Sequence, residues 1–371
     1  MDSEIGRRTQ GMSMKILHVI TTIERGGAEI QLLTLARNQV SLGNQVFIHY
    51  LKGNPELASD FEDFQVQILP PSRYFVTNIL RLRRIMRQGF DVTHAHLPRA
   101  ELQLVLAQIL SKKTSILVAS RHNAESFFPA APRLISRFLS NMVLRSFAGV
   151  IFISSTVKDY IYQERELPKC TKTAVIHYGY DERVKETQVI RSQETPFKPK
   201  FLFVGRLTEQ KNVPLLISAF KIHLAISPLS ELHIYGSGRL EKSLQYSTVN
   251  LSSNIFWHGK THRLNEIMRS SSCLILPSRY EGFGLVLLEA MQNDLPILAA
   301  NTSAIPEVLG ISHPGLFSIQ EVEFLSEKLQ EFCSSKLPEK ILKYQQKRLK
   351  LFNPINMAIS IQNFYLDCSQ S

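Results

Sequence analysis

The chain has 371 residues, 44% of them hydrophobic and 20% charged, with a net charge of +11. That length suits two domains, and that composition is the one expected of a soluble globular protein. No apolar run reaches the roughly 18 residues of a membrane span, and the first residues, MDSEIGRRTQGMSM, lack the apolar core of a signal peptide. Residues 1–13 read as a disordered leader, with Met12 and Met14 as alternative starts. The four cysteines, Cys170, Cys273, Cys333 and Cys368, form no CxxC pair, which fits a reducing, cytoplasmic setting. Residues 1–183 carry 23 Lys+Arg against 16 Asp+Glu. That excess reads either as solubility or as attraction to phosphates of a nucleotide, an acidic lipid or a nucleic acid.

In chain order, 15–20 is a strand, 21–29 a loop with Gly26 and Gly27, and a helix follows to about 42, stopped by Gly43. Strands are expected at 45–50, 66–69, 92–95, 115–120, 149–153 and 173–176, and helices at 76–88, 98–110 and 133–146. Residues 182–199 are polar, carry two prolines and have no period, so they read as a linker between domains 14–181 and 200–352. The alternation then restarts, with strands at 201–204, 231–235, 254–257, 273–276 and 296–299. Helices are expected at 213–226, 264–270, 285–292, 322–331 and 338–348, and an amphipathic helix over 354–366 closes the chain. Strands alternating with helices predict doubly wound parallel sheets, an α/β fold.

The most informative stretch runs from Cys273 to Gly310: an apolar strand, a loop with Gly282 and Gly284 around Phe283, a helix from Leu285, and a second strand. Ligands bind at the carboxyl end of such a strand, where the helix start offers unpaired N–H groups to an anion. Glu281 lies in the loop and Glu289 on the helix, with seven residues between them. Arg206 leaves the end of an earlier strand and Lys211 precedes the next helix, two cations suited to a diphosphate. Gly26-Gly27-Ala28-Glu29 is a second glycine loop at a helix start, and His122 ends a strand.

Pro277-Ser278 followed by Glu281-Gly282-Phe283-Gly284-Leu285 and Glu289-Ala290-Met291 resembles the E-x7-E signature of retaining glycosyltransferases of the GT-B fold, similar to glycosyltransferase family 4. Gly205-Arg206-Leu207 with Lys211-Asn212, and the Gly26–Glu29 loop, resemble two more motifs of that family. The resemblance implies two Rossmann-like domains facing across a cleft, the second binding a nucleotide-sugar and the first an acceptor. It implies that Arg206 and Lys211 neutralise the leaving diphosphate, that Glu281 holds sugar hydroxyls and that Glu289 holds the ribose. Gly26, Gly27, Gly282, Phe283, Gly284 and Leu285 would line the donor site, and His122 would hydrogen-bond a sugar hydroxyl. The closing helix would cross back to the first domain. Neither a metal nor a cofactor beyond the nucleotide-sugar is implied, and His94, His96, His258 and His262 do not read as metal ligands, because carboxylate and cysteine partners are missing.

His177 and Tyr178 depart from the family's Pro-Asn before Gly179 and Asp181, and Asp294 stands where relatives have glycine, leaving Asn293 for the left-handed position. A glycan or lipid-linked acceptor of bacterial surface polysaccharide assembly is expected from the resemblance, and nucleic acid is not. Arg133, Arg137 and Arg145 with Phe127, Phe128, Leu134 and Phe138 read either as an ordinary core helix with a solvated face or as a basic face for an anionic membrane, peripheral on the inner leaflet. A GT-B nucleotide-sugar 2-epimerase and a non-catalytic binding scaffold remain the alternative readings.

Overall fold

The structure, a computed structural model, describes residues 13–111, 115–128, 131–169, 171–180, 198–261 and 263–370. Residues 1–12 of the leader, nearly all of the linker, Cys170, Asp181 and His262 lie outside the described residues. The chain divides into two units, one of Met1–Gly179 with Phe352–Ser371 and one of Tyr180–Leu351.

The first unit holds seven parallel strands, β1 (Lys15–Ile20), β2 (Gln45–Tyr50), β3 (Gln67–Leu69), β4 (Val92–His96), β5 (Ile116–Arg121), β6 (Gly149–Phe152) and β7 (Lys172–Val175). Their order is β3-β2-β1-β4-β5-β6-β7, so the winding reverses between β1 and β4. Helices cover both faces of such a sheet, which is why its central strands read as continuous apolar runs. Its described helices are α1 (Gly27–Ser41), α2 (Ala58–Glu62), α3 (Phe75–Met86), α4 (Pro98–Ile109), α5 (Arg133–Leu144) and α6 (Ser155–Gln163), with the C-terminal Pro354–Ser369 as the last. That C-terminal helix packs Met357, Ile361, Phe364, Tyr365 and Cys368 against Ile16, Val92, Val118 and Ile151 of the sheet. Gly149 permits the approach: a β carbon there would lie 2.6 Å from Cys368 Sγ and from the Phe364 ring.

The second unit repeats the plan with six parallel strands, β8 (Lys200–Val204), β9 (Glu231–Tyr235), β10 (Ile255–Gly259), β11 (Cys273–Leu276), β12 (Ile297–Ala300) and β13 (Leu316–Phe317), ordered β10-β9-β8-β11-β12-β13. Its winding reverses between β8 and β11. Helices α7 (Val213–Leu224), α8 (Glu241–Ser247), α9 (Leu264–Arg269), α10 (Leu285–Gln292), α11 (Ile305–Leu309), α12 (Val322–Ser334) and α13 (Leu337–Leu349) flank it, and the C-terminal helix is α14. Short elements α2, α8, α11 and β13 escape sequence periodicity because they span too few residues to show one.

Two strand-end loops interlock in this unit. Gly205 N donates to the Tyr235 carbonyl and Leu207 N to the Ser237 carbonyl, both at 3.0 Å. Gly236, at φ +131°, leaves no room for a side chain, since a β carbon there would strike the Gly205 carbonyl. The Gly236-Ser237-Gly238 sequence is thus a backbone junction. One expectation is corrected. Asn293 is not left-handed (φ −91°), and Asp294 takes that position at φ +47°. The Asn293 side chain is committed elsewhere: Nδ2 donates to the Glu289 carbonyl and to Asn265 Oδ1, each at 2.9 Å, and Oδ1 accepts from Arg269 Nε at 3.1 Å.

Candidate functional site

The carboxyl ends of β8 and β11 flank the reversal in the second sheet, the place where doubly wound sheets bind ligands. Arg206 follows β8 there, exposed and without an ion pair among the described residues. Lys211 ends a one-turn 3-10 helix, Glu209–Lys211, and Asn212, left-handed at φ +51°, passes the chain into α7. From β11 comes the loop carrying Glu281. Lys211 Nζ lies 2.6 Å from Glu281 Oε1, and Ser278 Oγ donates to the same oxygen at 2.6 Å. Both charged side chains are largely buried, Lys211 13% exposed and Glu281 7%. Glu281 Oε2 has no hydrogen bond among the described residues.

The backbone of this loop is fixed from two sides. Glu281 N donates to Ser303 Oγ at 2.7 Å, while Arg279 N donates to the Gln210 carbonyl at 2.8 Å. Gln210 Nε2 returns a bond to the Tyr280 carbonyl at 3.1 Å. Phe283 is buried and Gly284 caps α10 at φ +86°, a conformation that favours glycine. The N–H groups of Leu285 and Val286 then open the helix with no acceptor in their own helix. Glu289 follows on the second turn of α10. Burial raises its carboxyl to about pKa 7. The spacing of Glu281 and Glu289 was visible in the sequence, and Ser278 stands in the same motif; Ser303, which holds the Glu281 backbone, was missed because only folding brings its loop there.

In the first unit the sheet reverses at β1 and β4. Gly26 is extended (φ −140°) and caps α1. The space it leaves is taken by Glu29, whose Oε2 a β carbon would strike. Thr22 Oγ1 donates to Glu29 Oε1 at 2.9 Å. Gly27 is the first residue of α1. Tyr178 lies near enough to Glu29 that the carboxylate adds to burial in disfavouring its phenolate.

His122, the sequence candidate from this unit, has both ring nitrogens engaged by neighbouring side chains. Its Nε2 lies 3.1 Å from His96 Nδ1, and its Nδ1 bonds the Tyr178 hydroxyl. Tyr178, the departure from the family pattern, is thus the partner of His122 Nδ1. Behind His122 the bonds continue, from His96 Nε2 to His18 Nδ1 at 3.0 Å and from His18 Nε2 to Gln39 Oε1 at 2.8 Å. Burial lowers all of these imidazoles, His18 and His122 to about pKa 4 and His94 and His96 well below their ordinary value. One nitrogen each of His18, His94 and His96 falls within 4.8 Å of the others. The rings of His94 and His96 stack, with centroids 4.2 Å apart, which points their in-plane lone pairs side by side instead of at one centre. Hydrogen bonding accounts for the cluster.

Two family profiles match, that of Glycosyltransferase Family 4 over residues 25–184 and that of Glycosyl transferases group 1 over residues 184–348. The chain belongs to these glycosyltransferases. This glycosyltransferase is 26% identical over 242 residues to an uncharacterized glycosyltransferase of Methanocaldococcus jannaschii, a match covering 62% of this chain and 59% of that protein. It is 23% identical over 318 residues to the GalNAc-alpha-(1->4)-GalNAc-alpha-(1->3)-diNAcBac-PP-undecaprenol alpha-1,4-N-acetyl-D-galactosaminyltransferase of Campylobacter jejuni, covering 82% and 84% of the two chains. Among solved structures, Anabaena Alr3699/HepE in complex with UDP and glucose superposes with a TM-score of 0.78 at 17% identity, over 95% of this chain and 100% of that one. That likeness shows the shared GT-B fold, and the stretch shared with the archaeal relative is less than two thirds of that protein.

Proposed function

We propose that this glycosyltransferase moves a hexosyl unit from a UDP- or GDP-type nucleotide-sugar to an acceptor hydroxyl, with retention at the anomeric carbon and without a metal. The observation that carries the reading is the buried Lys211–Glu281 pair at the reversal of the second sheet, beside Arg206 and the start of α10. Departure of the nucleotide diphosphate builds negative charge, and Arg206, Lys211 and the first N–H groups of α10 are the donors that receive it. Glu281 Oε2 accepts from sugar hydroxyls, held in place through Oε1. Glu289 accepts from the ribose hydroxyls. In the front-face route the leaving phosphate takes the acceptor proton, so no further base is required.

Thermal-shift titration with uridine, guanosine and adenosine diphosphate sugars tests this, with and without a chelator. One donor class should stabilise the protein equally in both conditions. No shift with any donor favours a binding scaffold, and a chelator-sensitive shift contradicts metal independence. A linked result is expected at Glu289. A nucleotide-sugar does not titrate near neutrality, so donor affinity should rise as Glu289 loses its proton through pH 7. Glu289→Gln should abolish that rise, and an unchanged pH profile in the variant removes Glu289 from the site.

The acceptor is proposed to be a lipid-linked glycan, reached from the inner face of the cytoplasmic membrane. The relative from Campylobacter jejuni is named for a PP-undecaprenol-linked glycan. No described helix is long and apolar enough to cross a membrane. Helix α5, however, exposes apolar side chains on its outer face. Its buried residues include Ser136 and Ser140, while Leu134 is 77% and Phe138 68% exposed, with Ile135 and Met142 half exposed. Arg133 and Arg137 on this helix and Arg145 just past its end are exposed. Helix α3 shows Tyr74, Phe75, Val76 and Leu80 with Arg73, Arg81, Arg84 and Arg87 nearby. Exposed apolar side chains among arginines suit an anionic leaflet. Co-sedimentation with vesicles containing phosphatidylglycerol should exceed that with phosphatidylcholine alone, and Leu134→Ser/Phe138→Ser should lower it about tenfold. Equal binding to both vesicle types overturns the membrane assignment.

A further inference from the structure

Residues Asn301 to Ala304 join β12 to α11. Ser303 among them is left-handed, at φ +46°, a conformation that is unfavourable for a residue with a β carbon and that glycine adopts freely. The loop is held in it from both sides. Asn301 N donates to the Phe317 carbonyl of β13 at 2.7 Å, and Ala304 and Ile305 are fully buried. Packing does not ask for serine here, because Ser303 is exposed. Its hydroxyl has one partner among the described residues, the N–H of Glu281, from which it accepts at 2.7 Å. A change of φ at Ser303 swings its β carbon, and the hydroxyl with it, away from that N–H. The strain and the bond therefore go together.

The same loop grips the other end of the Glu281 turn. Thr302 Oγ1 donates to the Ser278 carbonyl at 2.9 Å, and Ser278 Oγ donates to Glu281 Oε1 at 2.6 Å. The turn from Ser278 to Glu281 is thus fixed at both ends by consecutive side chains of a second loop, one meeting a carbonyl and the next an N–H.

We propose that Ser303 is a positioning residue for transfer. Its loop holds an unfavourable backbone conformation so that a hydroxyl fixes the Glu281 N–H, and with it the carboxylate that Lys211 also meets. The catalytic consequence rests on the transferase reading of Glu281, whereas the clamp stands on geometry alone. At an ordinary turn residue, activity follows stability; at a residue strained for a purpose, the two separate.

Three variants of the full chain make that separation visible. Turnover is read as release of nucleoside diphosphate from whichever nucleotide-sugar raises the parent's melting temperature. Ser303→Gly removes the strain and the bond together, so its melting temperature should stay within about 2 °C of the parent. Its kcat should nevertheless fall about tenfold or more, with donor KM changed less than about threefold, because the carboxylate is misplaced while Arg206 and the start of α10 are untouched. Ser303→Ala loses the bond and keeps the strain, so it should be equally slow and melt about 2–4 °C lower than the parent. Ser303→Thr keeps the hydroxyl on a β-branched residue, the kind least tolerant of positive φ, so it should melt below the glycine variant yet restore most of the lost turnover. Hydrogen exchange reads the clamp without substrate: in Ser303→Gly it should quicken about fivefold over residues 278–284 and stay parental in β12.

Parental kcat in Ser303→Gly, unchanged exchange over 278–284, or a threonine variant as slow as the glycine variant overturns the proposal. A parent that binds no nucleotide-sugar is a different failure. It removes the transferase reading and the catalytic role with it, and faster exchange in Ser303→Gly would then show the clamp alone.

Discussion

Glu281→Gln should reduce transfer by two to three orders of magnitude while leaving the second sheet folded. The substitution keeps the shape of the side chain and an oxygen for Ser278, but it removes the charge that holds Lys211 Nζ at 2.6 Å. Lys211 is then free to leave the place where the diphosphate charge develops, and the sugar loses its strongest acceptor. Losses of about 10²–10³ follow the removal of one such preorganised group. Lys211→Met should cost a similar factor, and the double variant little more than either single one, because the two side chains act as a unit. Transfer assays on the three variants, with circular dichroism as the folding control, decide it. Turnover near the parental rate in Glu281→Gln removes the pair from catalysis, and additive losses would mean that the two residues work separately.

The second large effect concerns stability. Arg121 Nη2 pairs with Glu101 Oε2 at 2.9 Å, and the two side chains are 3% and 0% exposed. The guanidinium also lies 4.8 Å from the Phe127 ring centroid. Arg121→Met strands the Glu101 carboxylate in the core, a change that costs about 3–5 kcal/mol for a buried pair. The deficit should depend on pH. Burial already raises Glu101 to about pKa 7, with Arg121 opposing the rise. Between its unfolded value and 7 the folded chain holds this proton more tightly than the unfolded chain, so the stability contributed here is present at low pH and is lost as pH rises. Without Arg121 the folded value climbs further and the loss continues above pH 7. Melting curves at pH 5 and pH 8 should therefore show the larger deficit at pH 8. Arg121→Met/Glu101→Leu should recover most of the melting temperature. A single variant as stable as the parent at pH 8 contradicts the account.

Much of the architecture was legible because parallel strands buried on both faces read as apolar runs: Cys273–Leu276 is buried at every position. The placement of Arg206, Lys211, Glu281 and Glu289 at strand ends and on α10 was legible for the same reason. What the sequence did not reveal depends on register and on facing. His18 and His96 are 78 residues apart and meet only because β1 and β4 are neighbours. Periodicity marks an apolar stripe on α5 but not which side of the helix meets the core. That choice is made by Glu166, which accepts from Ser136 Oγ at 2.8 Å and, through its carbonyl, from Ser140 Oγ at 2.9 Å, drawing the polar side inward. Asp294 was misjudged because the amide of Asn293 had already been claimed by three neighbours.

The interlocked loops of the second unit have a consequence for how sequence variation in this chain should be interpreted. Gly236 touches no ligand group named above, yet the atom nearest to it is the carbonyl of Gly205, one bond before Arg206. Any side chain at Gly236 displaces the segment that aims the guanidinium. A natural variant at that glycine would pass for a harmless change in a remote turn, and would behave in an assay as a lesion of the proposed donor site.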